Sequence, residues 1–398
     1  MSEWKKVKFL HVVSLNPRIS LEKGVEYPFV EMSNAVPGAR KPEKDVYQKY
    51  SGGGAKFEEG DTVVARIEPC LQNGKGFQCP YKKGFGSTEF LVFRPMNIKE
   101  MDFNFLYYYM GQQSIKEAMA KTMVGASGRQ RVNNAVFNDL QINLPPLNIQ
   151  LDIATILSRY DSLIENYQKQ IKLLEEAAQR LYKEWFVDLH FPGHENTKII
   201  DGVPEGWEKK KIEEFAAIKS GFAFKSKDWQ GFGCPVVKIK DINGTFVLSG
   251  SLDCVPIFVA EKANQYILRT GDLVIAMTGA TIGKIGIVTE DDLYANQRVG
   301  KFFVKDRFIL PFLFCYFKEK STIDLVLKIS SSSAAQPNIS GSQLGSFDFM
   351  YNKELFDKFC DIVQNPFHKI ILLQNQIRLL TEARDRLLPK LMSGEIAV

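Results

Sequence analysis

At 398 residues, the chain is long enough for two or three domains, each with its own hydrophobic core. Its hydrophobic fraction of 45% and aromatic fraction of 12% exclude a disordered chain, and no apolar run reaches the ~20 residues that would span a bilayer. The formal net charge of +5 permits nucleic-acid binding without requiring it, because phosphate contacts depend on local basic surface.

The first part of the chain, residues 1 to 147, predicts strands separated by glycine-rich turns. Thr62–Ile67 and Glu89–Phe93 are short apolar runs typical of strands, and we predict a helix around Phe103–Lys121. Pro145 and Pro146 end this segment, because two prolines continue neither a strand ladder nor a helix. We therefore predict a first variable domain over residues 1–147.

A long helix is predicted over residues 148–187, and its sequence recurs near the C-terminus. Ile171–Lys183 reads IKLLEEAAQRLYK, and Ile377–Lys390 reads IRLLTEARDRLLPK 206 residues later. A period of half the chain excludes a solenoid, whose repeats are ~20–50 residues long. The repetition predicts two large halves, each closed by the same helix, with the second helix at residues 354–398.

Apolar residues on both helices recur in alternating steps of three and four residues, which is the spacing of a coiled-coil seam. Gln170 and Gln376 take equivalent seam positions, where a polar residue fixes register and partner. Packing of each helix on its own domain is an alternative that periodicity leaves open. The predicted seam consists of Ile153, Ile156, Tyr160, Leu163, Tyr167, Gln170, Leu174, Leu181, Phe359, Ile362, Leu373, Gln376, Leu380 and Leu387.

The second variable domain is predicted over residues 188–353. Asp188–Trp207 opens it as a connector rich in proline, glycine and asparagine. Gly60–Ala65 of the first half then matches Gly271–Ala276 at an offset of 211 residues. This match predicts that both halves share one scaffold.

Other matches between the halves have different offsets, so the loops have diverged. Ser127 and Gln130 match Ser333 and Gln336 at an offset of 206, which places Pro337 opposite Arg131. A constant frame with divergent loops is expected if both halves perform one task on different targets.

Three stretches resemble catalytic or metal sites but fail on spacing. In Thr278–Lys284, TGATIGK, the glycines are four residues apart where a phosphate-binding loop requires five. His190 and His194 have no further metal-ligand residues in reach, and Glu208 with Lys210 lacks the acidic partner of a nuclease site. We predict no catalytic residue, no metal and no cofactor.

The six cysteines are scattered without a Cys-x-x-Cys pair, and the N-terminus lacks the apolar region of a signal peptide. Both features predict reduced thiols in a cytoplasmic protein.

Basic and polar residues on predicted loops are candidates for DNA contacts. Arginine and lysine bind guanine edges or phosphates, and glutamine binds adenine. Any one such residue is more often a solvated surface charge, but recurrence in both halves favours the set. The candidates are Lys75, Lys82, Lys83, Arg129, Gln130 and Arg131 in the first half, and Lys219, Lys225, Lys238, Lys240, Thr278, Thr281, Lys284, Gln297, Arg298 and Gln336 in the second.

Over its whole length the chain resembles the specificity subunit of a type I restriction–modification enzyme. The order of variable half, long helix, variable half and long helix is typical of that family. The stretches that carry the resemblance are Arg384–Ile396, Asp201–Trp207, Gly271–Ala276 with Thr278–Lys284, and Gly128–Val132 before Leu144–Leu147.

The resemblance implies a fold of the α/β (mixed α+β) class. Two target recognition domains would be related by pseudo-two-fold symmetry and separated by two long antiparallel coiled-coil helices. Each domain would read one half of a bipartite, asymmetric site in double-stranded DNA. The helices, ~50 Å long at about 35 residues, would set the gap between the half-sites.

The resemblance also implies a subunit without catalysis of its own. It would recruit two modification subunits, which are adenine methyltransferases, together with restriction and translocase subunits, and it would have no membrane partner. Charged residues expected to face outward from the helices are candidates for these contacts: Lys172, Glu175, Arg378 and Arg384.

Two other functions were weighed against this one. A self-contained methyltransferase or restriction enzyme is disfavoured, because no catalytic motif is present and no unassigned segment is long enough for a catalytic domain. A non-catalytic coiled-coil scaffold with two protein-binding modules fits the repeats equally well, and only a DNA-binding test separates it from the specificity subunit.

Overall fold

The computed structural model describes residues 4–126, 128–248, 250, 252–330 and 337–398. The chain forms two compact units. Unit 1 comprises Met1–Glu165 and Leu379–Val398, and unit 2 comprises Asn166–Arg378. Each unit therefore contains one variable half of the sequence and a part of both long helices.

Unit 1 combines short strands with helices. Its strands in chain order are β1 (Lys5–Lys8), β2 (Val13–Leu15), β3 (Glu26–Val30), β4 (Tyr47–Lys49), β5 (Ala55–Glu58), β6 (Thr62–Ala65), β7 (Gly76–Gln78), β8 (Lys83–Gly86), β9 (Phe90–Pro95) and β10 (Gln141–Leu144). Its helices are α1 (Phe103–Gly111), α2 (Gln113–Ala120), α3 (Val136–Asp139) and the start of α4 (Leu147–Tyr182). The strands form two four-stranded sheets, with the orders β2-β9-β6-β7 and β4-β3-β8-β5, and the pair β1-β10.

Unit 2 repeats this topology. Its strands are β11 (Ile199–Ile200), β12 (Val203–Pro204), β13 (Glu208–Lys211), β14 (Ala216–Ser220), β15 (Cys234–Val237), β16 (Asp253–Val255), β17 (Ile267–Leu268), β18 (Leu273–Ala276), β19 (Ile285–Ile287), β20 (Leu293–Ala295), β21 (Val299–Val304) and β22 (Asp348–Tyr351). Its helices are α5 (Ile257–Ala260), α6 (Leu310–Lys318), α7 (Lys320–Ser330), α8 (Gly341–Gly345) and most of α9 (Lys353–Ser393).

The strand orders of the two units correspond element by element. Unit 2 has the sheets β14-β21-β18-β19 and β16-β15-β20-β17 and the pair β13-β22, and β11 pairs with β12 in the connector. In each unit one pair in the second sheet is parallel, β3 with β8 and β15 with β20, and the other pairs are antiparallel. The predicted mixed α/β repeat is therefore confirmed.

Two predicted helices differ from the observed ones in detail. The segment predicted as one helix up to Lys121 is divided into α1 and α2, because Gln112 between them has an extended backbone with ψ of 141°. The first long helix ends at Tyr182 and is followed by one π-helical turn, Lys183–Val187.

The core of each unit is rich in aromatic rings. In unit 1, the Phe9 ring lies 6.0 Å from Phe93 and 5.9 Å from Phe137, measured between ring centroids. In unit 2, the Phe312 ring lies 5.2 Å from the ring of Phe186, in the π-helical turn after α4. Burial of each such side chain contributes about 1.5–3 kcal/mol. The segment that follows the first long helix is thus anchored in the core of unit 2.

The buried face of α4 is displaced from the predicted seam by one residue. Its most buried positions are Gln150, Ile153, Ala154, Leu157, Asp161, Ile164, Ile171, Ala178 and Tyr182. The predicted seam residue Leu163 is 43% exposed, and Ile362 on α9 is 47% exposed, although Phe359 and Leu373 are buried as predicted. Two apolar stripes lie one residue apart on α4, about 100° around the axis, and spacing alone does not identify the more buried one. The seam between the helices stays a prediction.

A buried polar network joins both long helices within unit 1. Arg384 Nη1 donates to Asp161 Oδ1 at 2.7 Å, and the Tyr108 hydroxyl donates to Asp161 Oδ2. The side chains of Arg384 and Asp161 are only 12% and 6% exposed. The prediction that Arg384 faces outward is wrong, because this carboxylate holds it inside.

Candidate nucleic-acid interface

Each unit has a Gly-Asp turn directly before a buried strand. The Asp61 carboxylate accepts hydrogen bonds from the backbone N–H three residues earlier at 2.8 Å and from Arg94 Nε at 2.6 Å. The Asp272 carboxylate accepts from the backbone N–H three residues earlier at 2.9 Å and from Arg307 Nη1 at 2.7 Å. The glycine before each aspartate has a φ of 88° or 83°, which favours glycine. The motif repeated at an offset of 211 therefore builds the scaffold.

In unit 1, the stretch containing Arg129 and Arg131 pairs with the segment that follows β6. Val132 N donates to Arg66 O at 2.9 Å, and Arg66 N donates to Glu89 O at 2.8 Å. Arg131 also forms an antiparallel bridge with Val124. The backbone of Arg131 is consequently fixed beside Arg66 and Glu89.

Unit 2 repeats these hydrogen bonds with other side chains. Ile339 N donates to Met277 O at 3.0 Å, and Met277 N donates to Arg298 O at 3.0 Å. Asn338, which precedes Ile339, therefore corresponds to Arg131. The prediction that Pro337 takes the place of Arg131 is wrong by one residue, because the connecting loops of the two units differ in length.

The predicted residue Gln336 lies outside the described residues, as does Ser333, so that part of the repeat has no structural outcome. The remaining DNA-binding candidates divide into those held by contacts within their unit and those exposed.

A groove in unit 1 has a strongly basic wall. It has a volume of about 720 Å³, and its cationic lining residues are Arg18, Lys56 and Arg66. Asn16, Ser20 and Thr88 add polar groups. Arg66 Nε is buried and has no hydrogen-bond partner among the described residues. This groove is large enough and positive enough to bind a stretch of phosphate backbone.

Arg131 lies beside this groove and is held by a carboxylate. Its Nε lies 2.8 Å from Glu89 Oε2, and its Nη2 lies 2.7 Å from Glu89 Oε1. The hydrogen bonds from Arg131 lower the pKa of Glu89 below its usual value, so this carboxyl is ionised at neutral pH. The Arg131 side chain is 47% exposed and remains accessible to a ligand.

The structure gives less support to DNA contacts by the other candidates of unit 1. Lys75 Nζ donates to Met32 O at 2.9 Å, so this ammonium group is used within the unit. Lys83 Nζ lies 3.4 Å from Ser20 O at the side of the groove. Lys82 and Arg129 are exposed, and Gln130 is half-buried.

In unit 2, two predicted cations share one carboxylate. Lys238 Nζ and Lys240 Nζ lie 2.9 Å and 3.0 Å from Asp253 Oδ2. Lys238 Nζ also lies 3.4 Å from the centre of the Trp229 ring. Hydrogen bonds from Lys238 and then Lys240 lower the pKa of Asp253, so the pair of lysines is partly neutralised at neutral pH.

The two predicted threonines of unit 2 point inward. Thr278 Oγ1 donates to Pro337 O at 2.9 Å, and Thr281 Oγ1 donates to Ile239 O at 3.2 Å. These hydroxyl groups stabilise the loop, and we do not assign them to DNA. The candidates that the structure leaves exposed are Lys219, Lys225, Lys284, Gln297 and Arg298.

Sequence reasoning missed the three cations of the basic groove. Arg18 and Lys56 lie on segments without a repeated motif. Arg66 directly follows the repeated strand, and its counterpart in unit 2 is Met277. That change of charge immediately after a matched strand is the signal that could have identified Arg66.

Among the described residues there is no group of three or more His, Cys, Asp or Glu residues that could hold a metal ion. Within the same part of the chain, no helix is long and apolar enough to cross a membrane. All six cysteines are free thiols.

Similarity to known proteins was found for sequence and for fold. The MjaVIII specificity subunit of Methanocaldococcus jannaschii, a type I restriction enzyme subunit, is 34% identical over 252 residues, covering 60% of this chain and 58% of that protein. The MjaIX specificity subunit of the same organism is 26% identical over 306 residues, covering 74% and 69%. The chain thus spans somewhat over half the length of the first of these relatives.

A crystal structure of the S subunit of a type I restriction–modification system from M. genitalium has the same fold. Its TM-score is 0.56 at 20% sequence identity, with coverage of 98% of this chain and 96% of that one. The family model for the type I restriction modification DNA specificity domain matches residues 1–176 and 204–351. These two matches cover most of the chain and one falls on each variable half, so the chain belongs to the type I restriction–modification DNA specificity family.

Proposed function

We propose that this chain is the DNA-recognition subunit of a type I restriction–modification complex. Each unit reads one half of a bipartite, asymmetric site in double-stranded DNA. The chain binds two modification subunits and, through them, restriction and translocase subunits. It contributes specificity and supplies no catalytic group.

One observation carries this proposal: the two units have the same hydrogen-bonded frame but different side chains at corresponding positions. Arg66 and Arg131 of unit 1 correspond to Met277 and Asn338 of unit 2. Base recognition depends on which donors and acceptors reach the groove of DNA, whereas a frame only positions them. Two like frames with unlike side chains suit a site whose halves differ in sequence.

The long helices support binding of two like partners. Leu173 on α4 and Leu379 on α9 are identical residues at equivalent positions, and they are 64% and 54% exposed. Leu163, Ile362 and Leu372 add further exposed apolar area on the same helices. An apolar residue exposed twice at repeated positions favours two equivalent docking contacts, one for each modification subunit.

The test is co-expression with a type I modification subunit, followed by mapping of adenine methylation across the host DNA. We expect a complex with two modification subunits per chain, and methylation confined to one gapped, two-part motif. The control is the modification subunit expressed alone, which we expect to leave that motif unmethylated. A stable complex without methylation, or a complex that does not bind DNA, would favour the protein-binding scaffold instead.

A further inference from the structure

The ion pair of Arg131 and Glu89 is built on fixed backbone at both ends. Arg131 is tied by its bridge to Val124, and Glu89 accepts through its backbone carbonyl from Arg66 N at 2.8 Å. The carboxylate of Glu89 receives Nε and Nη2 of the guanidinium at 2.7–3.0 Å. The arginine fork is thereby held in one plane and one direction.

This arrangement leaves one edge of the guanidinium open. Arginine has five N–H donors in a rigid fork, and Glu89 occupies the edge formed by Nε and one hydrogen of Nη2. The second hydrogen of Nη2 and one hydrogen of Nη1 form the next edge, where Nη1 has no hydrogen-bond partner among the described residues, and the side chain as a whole is 47% exposed. The open edge presents two parallel donors.

Two parallel donors match guanine better than any other base. In the major groove guanine presents two acceptors, N7 and O6, whereas adenine presents one acceptor and one donor, and cytosine a donor. Thymine presents one acceptor beside a methyl group. Because Glu89 has already oriented the fork, less side-chain entropy is lost on binding.

The groove beside the ion pair supplies the backbone contacts that such readout needs. Arg18, Lys56 and Arg66 line it, so a duplex held there by its phosphates would present a groove edge to neighbouring side chains. Glu89 lowers the local positive charge by one unit only. The position therefore remains attractive to DNA.

Unit 2 has different side chains at the positions that correspond to Glu89 and Arg131. The counterpart of Glu89 is Arg298, and the counterpart of Arg131 is Asn338, and both are exposed. A carboxylate support is thus specific to unit 1. Any base preference that depends on it belongs to one half-site.

We propose that Arg131 reads a guanine in the major groove of the half-site bound by unit 1, and that Glu89 is the positioning residue for this contact. The proposal rests on the proposed function, because it takes DNA as the ligand.

The experiment uses the complex with modification subunits and duplexes that carry each base pair in turn along the half-site read by unit 1. We expect Arg131→Ala to lose discrimination at one guanine position, by on the order of 10- to 100-fold, with the other positions unchanged. Arg131→Lys keeps the charge without the fork, so we expect a similar loss of discrimination at that position. Glu89→Gln keeps Arg131 but removes the carboxylate that orients it. We expect a smaller loss of discrimination at the same position.

The control is Lys99→Ala, which removes an exposed cation of unit 1 outside the predicted DNA contacts and which we expect to leave every base preference intact. Replacing the implicated guanine by 7-deazaguanine removes the N7 acceptor and should weaken wild-type binding but not that of Arg131→Ala. An Arg131→Ala complex whose affinity falls equally for all bases, or does not change, would overturn the proposal. If the wild-type complex still methylates a gapped motif, such a result contradicts only the role given to Arg131, and the proposed function stands.

Discussion

The two units bury the same positions with opposite chemistry. In unit 1, the buried set at the long helices is polar: Tyr108 and Arg384 both donate to Asp161. The repeat places Phe367 of unit 2 at the position of Asp161, and Ala178 at that of Arg384, each 206 residues away, and both are buried. The positions of a buried ion pair in one unit are thus occupied by a buried phenylalanine and a buried alanine in the other.

The two units also differ at the ends of their long helices. The end of α9 in unit 1 buries Leu391 and Met392, whereas the corresponding positions in unit 2 are Trp185 and Phe186, in the π-helical turn after α4. The lesson is that the repeats share a topology without having interchangeable helix ends. Pairing α4 with a second α4 would set Asp161 against Ala178 and leave the carboxylate without its arginine. Such mismatches select the correct partner helix.

The largest loss of stability is expected from removing one member of the buried polar network of unit 1. Arg384→Ala leaves the buried Asp161 carboxyl without its cation, which costs about 3–5 kcal/mol. Burial lowers the pKa of Arg384, but the charge and hydrogen bond of Asp161 outweigh burial and raise it, so the arginine is charged at any ordinary pH. The measurement is native-state hydrogen exchange of amides in α1 and the end of α9, which reports opening of unit 1 by itself.

Amides of unit 2 serve as the internal control for that experiment, and Arg386→Ala as the matched variant, because Arg386 is exposed. We expect Arg386→Ala to change the opening free energy by less than about 0.5 kcal/mol. Equal effects of the two substitutions would show that the buried pair does not stabilise unit 1.

A smaller effect is expected when unit 1 receives the side chains of unit 2. The triple variant Tyr108→Cys, Asp161→Phe, Arg384→Ala removes the charges together, since Cys315 is the residue of unit 2 that corresponds to Tyr108. We expect it to be within about 2 kcal/mol of the original protein, the remaining cost being the cavity left by smaller total volume. Hydrogen exchange of the same amides measures it. A triple variant less stable than Arg384→Ala would mean that the two units do not pack these positions alike.

Much of the fold followed from the repeat in the sequence, and the failures have identifiable causes. The motif Gly60–Ala65 predicted a shared frame because its buried aspartate recurs in Gly271–Ala276. The most buried face of α4 was missed because two apolar stripes run side by side on this helix. Partners distant in sequence were also invisible: the pairing of Arg131 with Glu89 spans 42 residues, and spacing carries no signal for it.

The smallest effect concerns how each unit uses a carboxylate beside its basic residues. Glu89 of unit 1 orients one arginine, whereas Asp253 of unit 2 holds Lys238 and Lys240 away from other ligands. We therefore expect Asp253→Asn to raise affinity for any DNA sequence a few-fold and leave the methylation motif unchanged. The slope of log affinity against log salt should steepen by about 1–2, since each released cation can take a phosphate contact worth ~0.9.

The pH dependence gives the same comparison a second readout. Because its partners lower the pKa of Asp253, the ion pairs are complete above the ordinary carboxyl pKa of ~4 and are lost only as pH falls through the lower folded value. Affinity should then show no contribution from Asp253 titration between pH 6 and 8. Asp324→Asn, an exposed aspartate of the same unit, is the matched control. Asp253→Asn acting no differently from this control would mean that both lysines already contact phosphate in the original protein, and the two carboxylates would not differ in the way proposed.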